Sequence, residues 1–89
     1  MKAIVTVVGK DRVGIIAEVC VALAGYNVNV LDISQTVMQG YLTMMMAVDV
    51  SMANLPLAQI CQELEVKGQE MGLSVRMQRE DIFNAMHRV

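Results

Sequence analysis

The chain has no tryptophan, one phenylalanine and two tyrosines among its 89 residues. Proteins that read single-stranded nucleic acid stack bases on aromatic rings, so this poverty argues against that class. Nor is there an excess of positive charge. Seven Lys and Arg stand against nine Asp and Glu, for a formal net charge of −2 and a pI near 5.2. Nothing long-range would draw the chain to a nucleic acid or an anionic membrane. The single histidine, His87, has no paired Cys or acid at ligand spacing, which leaves neither a metal centre nor a general base in view. Ser34, Ser51 and Ser74 have no obvious base either. No catalytic residue, metal or cofactor is therefore expected, and the chain does not read as an enzyme. Cys20 and Cys61 form no C-x-x-C pair and fall in helical patterns, as buried core thiols do. No apolar segment is long enough for a signal peptide or a membrane span, and the expected location is the cytoplasm.

What the chain does have is apolar surface. Apolar residues make up 55% of it, against roughly 45–50% in ordinary soluble domains, a figure that includes glycine. At this length there is room for one domain, residues 1–89, burying only about two-thirds of the surface its unfolded chain exposes. More apolar surface than a small monomer can hide points to a partner.

The organising stretch runs from Val5 to Thr36. Ile4–Val8 is short, apolar and β-branched, and it stops at Gly9, as a strand does. Lys10, Asp11 and Arg12 precede a helical run over Gly14–Ala24, which Gly25, with Asn27 close behind, is placed to end in a left-handed conformation. Asn27–Thr36 reads as a second strand with a broken alternation, because Val28 and Val30 share one parity and Leu31 and Ile33 the other. A bulge near Val30-Leu31 reconciles them, and bulges favour sheet edges. Gln39-Gly40 is a turn into a third strand, Tyr41–Val50, with Leu42, Met44, Met46, Val48 and Val50 on one face. Met45 alone of the three consecutive methionines points outward by parity, where it would help stack one dimer on another.

Ser51 or Asn54 is placed to cap a second helix, with Pro56 in its first turn. Leu57, Ile60, Cys61, Leu64, Gly68 and Met71 keep helical spacing, Glu63 and Lys67 form an i,i+4 pair, and Gly72 is the stop. Leu73, Val75 and Met77 alternate as a fourth strand, giving a core over 2–79. A tail over 80–89 suits a short helix with Ile82, Phe83 and Met86 on one side. The order β-α-β-β-α-β defines an α+β, ferredoxin-like sandwich: a four-stranded antiparallel sheet with two helices on one face. RNA-recognition modules share this topology, but here the open face would offer only Thr6, Thr43, Met45 and one aromatic, Tyr41.

Between Gly14 and Ala24, Glu18 is the sole charged residue. A helix apolar nearly all round is usually buried nearly all round. Its own sheet covers one side, through Ile15, Val19 and Leu23, so Ile16, Ala17, Cys20 and Val21 on the flanks call for a second copy.

The loop Gly9–Gly14 has the G-x-x-x-x-G spacing of a phosphate loop, but Ile15-Ile16 replace the Lys and Ser/Thr that nucleotide hydrolysis needs. Two readings remain. In one, Asp11 simply caps the helix and Gly14 lets it pack closely. In the other, backbone N–H groups around Val13–Ile15 hold a carboxylate while Asp11 or a carbonyl takes an ammonium group. Asn27 and Asn29 divide in the same way, between turn chemistry and a pair of amides holding a polar ligand.

Val8-Gly-Lys-Asp-Arg-Val-Gly-Ile-Ile16, Ala22-Leu-Ala-Gly-Tyr-Asn-Val-Asn29 and Asp32-Ile-Ser-Gln35 resemble an ACT domain. More narrowly they are similar to small stand-alone bacterial ACT proteins and to the halves of the glycine-cleavage repressor. The likeness runs over the whole chain, with the D-R-x-G-I core its specific part. Val13 stands where the family usually has proline, which loosens the loop. The resemblance implies side-by-side homodimers, sometimes paired further, that bind a small amino acid between subunits and act as regulators of an enzyme or other partner. Mapped onto this chain, the site would combine Asp11, Arg12, Val13, Gly14 and Ile15 of one subunit with Asn27, Val28, Asn29 and Val30 of its neighbour. A dimerising module that binds no ligand is the alternative.

Overall fold

The computed structural model describes residues 1–81 and 84. Strand β1 (Lys2–Lys10) leads into helix α1 (Ile15–Gly25), strands β2 (Asn29–Met38) and β3 (Tyr41–Asp49), helix α2 (Leu57–Glu70) and strand β4 (Ser74–Arg79). The strands form one sheet in the order β2-β3-β1-β4, with every neighbouring pair antiparallel. This is the ferredoxin-like sandwich expected from the sequence. The tail helix proposed for 80–89, with Ile82, Phe83 and Met86, and also His87, lies largely outside the described residues.

The core follows from alternation. Ala3, Val5 and Val7 of β1 and Leu42, Met44, Met46 and Val48 of β3 are buried on the face that meets the helices. Helix α1 adds Ile15, Val19 and Leu23, and α2 adds Ile60, Leu64 and Gly68. Both triplets are spaced by four, which puts them on one side of a helix. No charged residue is buried among the described residues. The hairpin between β2 and β3 turns through Gln39 (φ 52°) and Gly40 (φ 82°), two positive values that match the twist of the flanking strands.

The bulge lies where the broken alternation put it. Val30 pairs with Val48 and Asp32 with Ala47, leaving Leu31 as the extra residue. From there on Ile33, Gln35 and Val37 share the helix side with Met46, Met44 and Leu42, while Asp32, Ser34 and Thr36 share the open side with Ala47, Met45 and Thr43.

Several local expectations are corrected. Helix α1 ends at Gly25, but the left-handed residue is Asn27 (φ 59°); its amide donates to the Met52 carbonyl (2.7 Å), which holds the turn without needing glycine. No side chain caps α2. Ser51 donates instead to Asp49, and the Asn54 side chain donates to the Gly25 carbonyl (3.0 Å). Glu63 and Lys67 do not pair, because both are drawn to Tyr26: its hydroxyl donates to Glu63 (3.1 Å) and the Lys67 ammonium sits 5.3 Å from the ring centre. The two thiols are half-buried rather than buried. Cys61 donates to the Met77 carbonyl (3.3 Å), and burial pushes its pKa up.

Within one chain α1 is not covered all round. Val21 is 72% exposed and Ile16 37%, because a groove separates α1 from α2 on one side and the sheet's outer strand gives little cover on the other.

At Gly68, a Cβ would meet Val75 Cγ2 at 2.6 Å, where α2 crosses β4. Gly68→Ala should cost about 1–3 kcal/mol in chemical denaturation. At Gly25 a Cβ would meet nothing within 4 Å, so Gly25→Ala should be neutral or stabilising by up to about 1 kcal/mol. Asp49 gives a pH signature. Hydrogen bonds from the Ser51 hydroxyl and N–H, with help from the N-terminal ammonium, hold its pKa below the ordinary carboxylate value. That contribution is complete above the ordinary value and is lost as pH falls through the lower folded-state value. The gap in Tm between wild type and Asp49→Asn should therefore close in acid and be constant near neutrality.

Candidate functional site

Helix α1 starts bare. Its N-cap is Gly14, held at φ 94°, and no side chain caps the first turn. The first intrahelical bond runs from the Glu18 N–H to the Gly14 carbonyl (2.9 Å). The N–H groups of Ile15, Ile16 and Ala17 therefore lack the i−4 partners that later turns have. This corrects the reading in which Asp11 caps the helix. Close packing is not what needs Gly14 either, since a Cβ there would meet nothing within 4 Å. The glycine is required for its backbone angle.

The loop before it is pinned at one end. The Asp11 N–H donates to the Gly40 carbonyl (2.8 Å), tying the loop to the β2–β3 turn. The Arg12 guanidinium bridges forward to Glu18 (2.9 Å) and to the Val13 carbonyl (3.2 Å). Both partners of that ion pair are wet, so it contributes less than about 1 kcal/mol. Val13 is 97% exposed, whereas Ile15 is buried.

Beside this loop a groove of about 590 Å³ runs between α1 and β2, lined by Asp11, Arg12 and Gly14 at its mouth, Ile16, Ala17 and Cys20 along the helix, and Gln35, Val37 and Leu42 from the sheet. Gln35 went unnoticed in the sequence. The signal was available: once the bulge resets the parity, it is the one polar residue on the helix side of β2, between Ile33 and Val37.

The other predicted half lies elsewhere. Val28 is buried, Val30 is half-buried, and Asn29 is exposed at the start of β2. Asn27 precedes the strand, with its amide NH₂ engaged by Met52. The loop 11–15 and the segment 27–30 thus sit at opposite ends of α1, about 16 Å apart by helix length, and a single chain does not bring them together.

A second groove, about 520 Å³, separates α1 from α2 and has Glu18, Tyr26, Glu63 and Lys67 among its lining residues. The Tyr26 hydroxyl donates to Glu63, which also accepts from Gln59, and the Lys67 ammonium lies over the Tyr26 ring. No group of three or more His, Cys, Asp or Glu suited to a metal ion occurs among the described residues, and no described helix is long and apolar enough to cross a membrane.

The fold and the groove together describe a small ferredoxin-like domain whose uncapped first helix opens beside its outer strand. The chain belongs to the ACT-domain family, whose model matches residues 2–78. ACT domains are generally regulatory ligand-binding domains. A UPF0237 protein of Bifidobacterium longum is 53% identical over 88 residues, covering 99% of this chain and 98% of its own length. The solved ACT domain protein from Streptococcus pneumoniae superposes with a TM-score of 0.82 at 42% identity, over 93% of each chain. A structure assigned to the glycine cleavage system transcriptional repressor matches with a TM-score of 0.73 at 25% identity, covering 88% of this chain and 44% of that one.

Gly14→Val should cost about 1–2 kcal/mol, since a β-branched residue resists positive φ. Gly14→Asn should cost less, because Asn tolerates that region. Equilibrium denaturation of the two variants checks the order.

Proposed function

We propose that this ACT domain is a cytoplasmic sensor that binds a small amino acid between two subunits and signals its presence to an enzyme or regulatory partner. One observation carries the reading. The two halves of the expected site lie at opposite ends of β2, and β2 is an outer strand whose residues from Leu31 to Met38 are all exposed. An antiparallel pairing of β2 with β2 of a second copy would bring the backbone of segment 27–30 of one subunit toward Gln35 and the Asp11–Ile15 loop of the other. The Asn29 side chain, paired in register with Asp49, lies on the open side of the sheet and away from that groove. The sheets would join into eight strands, and the unpaired edge, a standing hazard in a monomer, would be consumed.

In that crevice the ligand's carboxylate would take the N–H groups of Ile15, Ile16 and Ala17, where the helix dipole favours an anion. Asp11 or a backbone carbonyl, of its own chain or of the second copy's segment 27–30, would take its ammonium group. Val13, Val28 and Val30 would supply backbone and apolar wall rather than charge. Arg12, already turned to Glu18, would help fix the loop. The engaged amide of Asn27 favours, as a second reading, a dimerising module in which the same residues are purely structural.

A thermal-shift panel of amino acids at millimolar concentration separates the two. A ligand at a hundredfold excess over its Kd should add about 2–3 kcal/mol, roughly 10 °C or more in Tm, and Asp11→Ala should reduce the shift. No response to any amino acid, alongside a stable protein partner in pull-downs, would leave only the second reading. Gel filtration showing a monomer at micromolar concentration would remove both.

A further inference from the structure

Pairing at β2 would cover only one flank of α1. Ile16, Ala17 and Cys20 line the groove beside the sheet, but Val21 lines the furrow on the other side, between α1 and α2. At 72% exposure it is the most open large apolar side chain of either helix, and a second copy seated on β2 lies on the wrong side of α1 to reach it. We propose that this furrow is a docking site for an amphipathic helix of a partner protein, one with lysine or arginine flanking its apolar stripe. The furrow stays open whether or not β2 pairs or the loop 11–15 holds an amino acid.

Strands β1 and β2 both run against β3, and β3 and β4 both run against β1. Each helix returns opposite to the strands that flank it, so α1 and α2 are antiparallel. The furrow takes in residues from Glu18 to Gly25 of α1 and from Glu63 to Glu70 of α2, two turns of each and about 10 Å long. Tyr26 meets Glu63 at one end, which brings Glu18 and Glu70 to the other. Val66 is 51% exposed. Three residues after Glu63 and four before Glu70, it shares their side of α2. Val21 holds the same place on α1, three residues after Glu18 and four before Gly25. The two valines thus stand on opposite rims halfway along, above a floor that includes Ala22, Leu64 and Val75.

Charge selects the occupant. Glu18, Glu63 and Glu70 border the furrow with one cation, Lys67, whose ammonium already lies over the Tyr26 ring. Glu18 is bridged from the loop by Arg12, and Glu63 accepts from Tyr26 and Gln59. Glu70 makes no ion pair among the described residues, which leaves it as the anchor for an incoming lysine or arginine, with Glu63 adding charge at the far end. A second copy is the wrong occupant. Both ends are acidic, so furrow laid on furrow in either direction sets carboxylate against carboxylate. Nucleic acid and anionic lipid are repelled for the same reason. A helix has the right shape, because the channel between two packed helices accepts a third through its apolar residues at i, i+3, i+4 and i+7.

Fluorescence anisotropy of the full chain with a labelled helical peptide tests the assignment. The probe carries leucines at i, i+3, i+4 and i+7 flanked by lysines, and its control has glutamates in place of the lysines. The lysine peptide should bind with a micromolar Kd and the glutamate peptide about tenfold more weakly or worse. Val21→Ser and Val66→Ser should each weaken the lysine peptide about threefold; both side chains are exposed, so the fold is spared. Glu70→Lys should weaken it about tenfold. Glu65→Lys makes the same change in net charge on another side of α2 and should leave binding within about twofold. Absence of lysine-peptide binding at about 100 μM overturns the proposal, as does equal binding of the two peptides. Indifference to both serine variants overturns it too. So does an equal loss from Glu65→Lys and Glu70→Lys, which is attraction by net charge alone.

Discussion

An outer strand with nothing on its far side is the constraint on which the rest of this molecule turns. Strand β2 makes hydrogen bonds to β3 along one edge and to no described strand along the other. It also carries Leu31, Ile33, Val37 and Met38, all exposed. Edge strands of stable monomers are usually short, charged or interrupted. This one has ten residues, and Asp32 is its only charged side chain. Helix α1, which lies above it, has Ile16 and Cys20 on the same side. Strand edge and helix flank thus form one continuous apolar ledge, and the uncapped helix N-terminus opens at its end.

The bulge at Leu31 decides what that ledge contains. Without it the parity of Val28 and Val30 would carry on through Asp32 and Ser34, turning two polar residues toward α1. With it, Ile33, Gln35 and Val37 face the helix and Asp32, Ser34 and Thr36 face the open side. One inserted residue therefore sets both surfaces of β2: the groove beside α1, with a single amide in an apolar wall, and the acidic margin of the open face.

Element order, the bulge, the hairpin turn and the buried face of each helix were legible because each depends on local pattern: a period of two or four, or a residue that tolerates positive φ. The tertiary choices were not. Asp11 looks like a cap in sequence, but its loop is drawn toward Gly40 of the β2–β3 turn, and Gly14 takes the cap position. Glu63 and Lys67 have the spacing of an ion pair, yet Tyr26, distant in sequence, engages both. The place of the loop 11–15 at the start of α1 was readable from its glycine and charges. Gln35 was not noticed, since its side of the sheet depends on applying the bulge beyond Leu31. The turn role of Asn27 depends on a contact far along the chain: its amide NH₂ donates to the Met52 carbonyl.

Two grooves of similar size flank α1, and their polar groups distinguish them. Between the helices, the Glu63 carboxylate already accepts from the Tyr26 hydroxyl and from Gln59, and the Lys67 ammonium lies over the Tyr26 ring, above an apolar floor that includes Leu64 and Val75. A ligand that sought the Glu63 carboxylate there would compete with two donors already in place. Beside β2, the first-turn N–H groups have no side-chain cap, and a polar group left without a partner is the expensive arrangement once water is excluded. Closing the β2 edge against a second copy would remove much of that water. The same event that satisfies the strand therefore raises the gain from an anion at the helix end, so dimerisation and ligand capture would each favour the other.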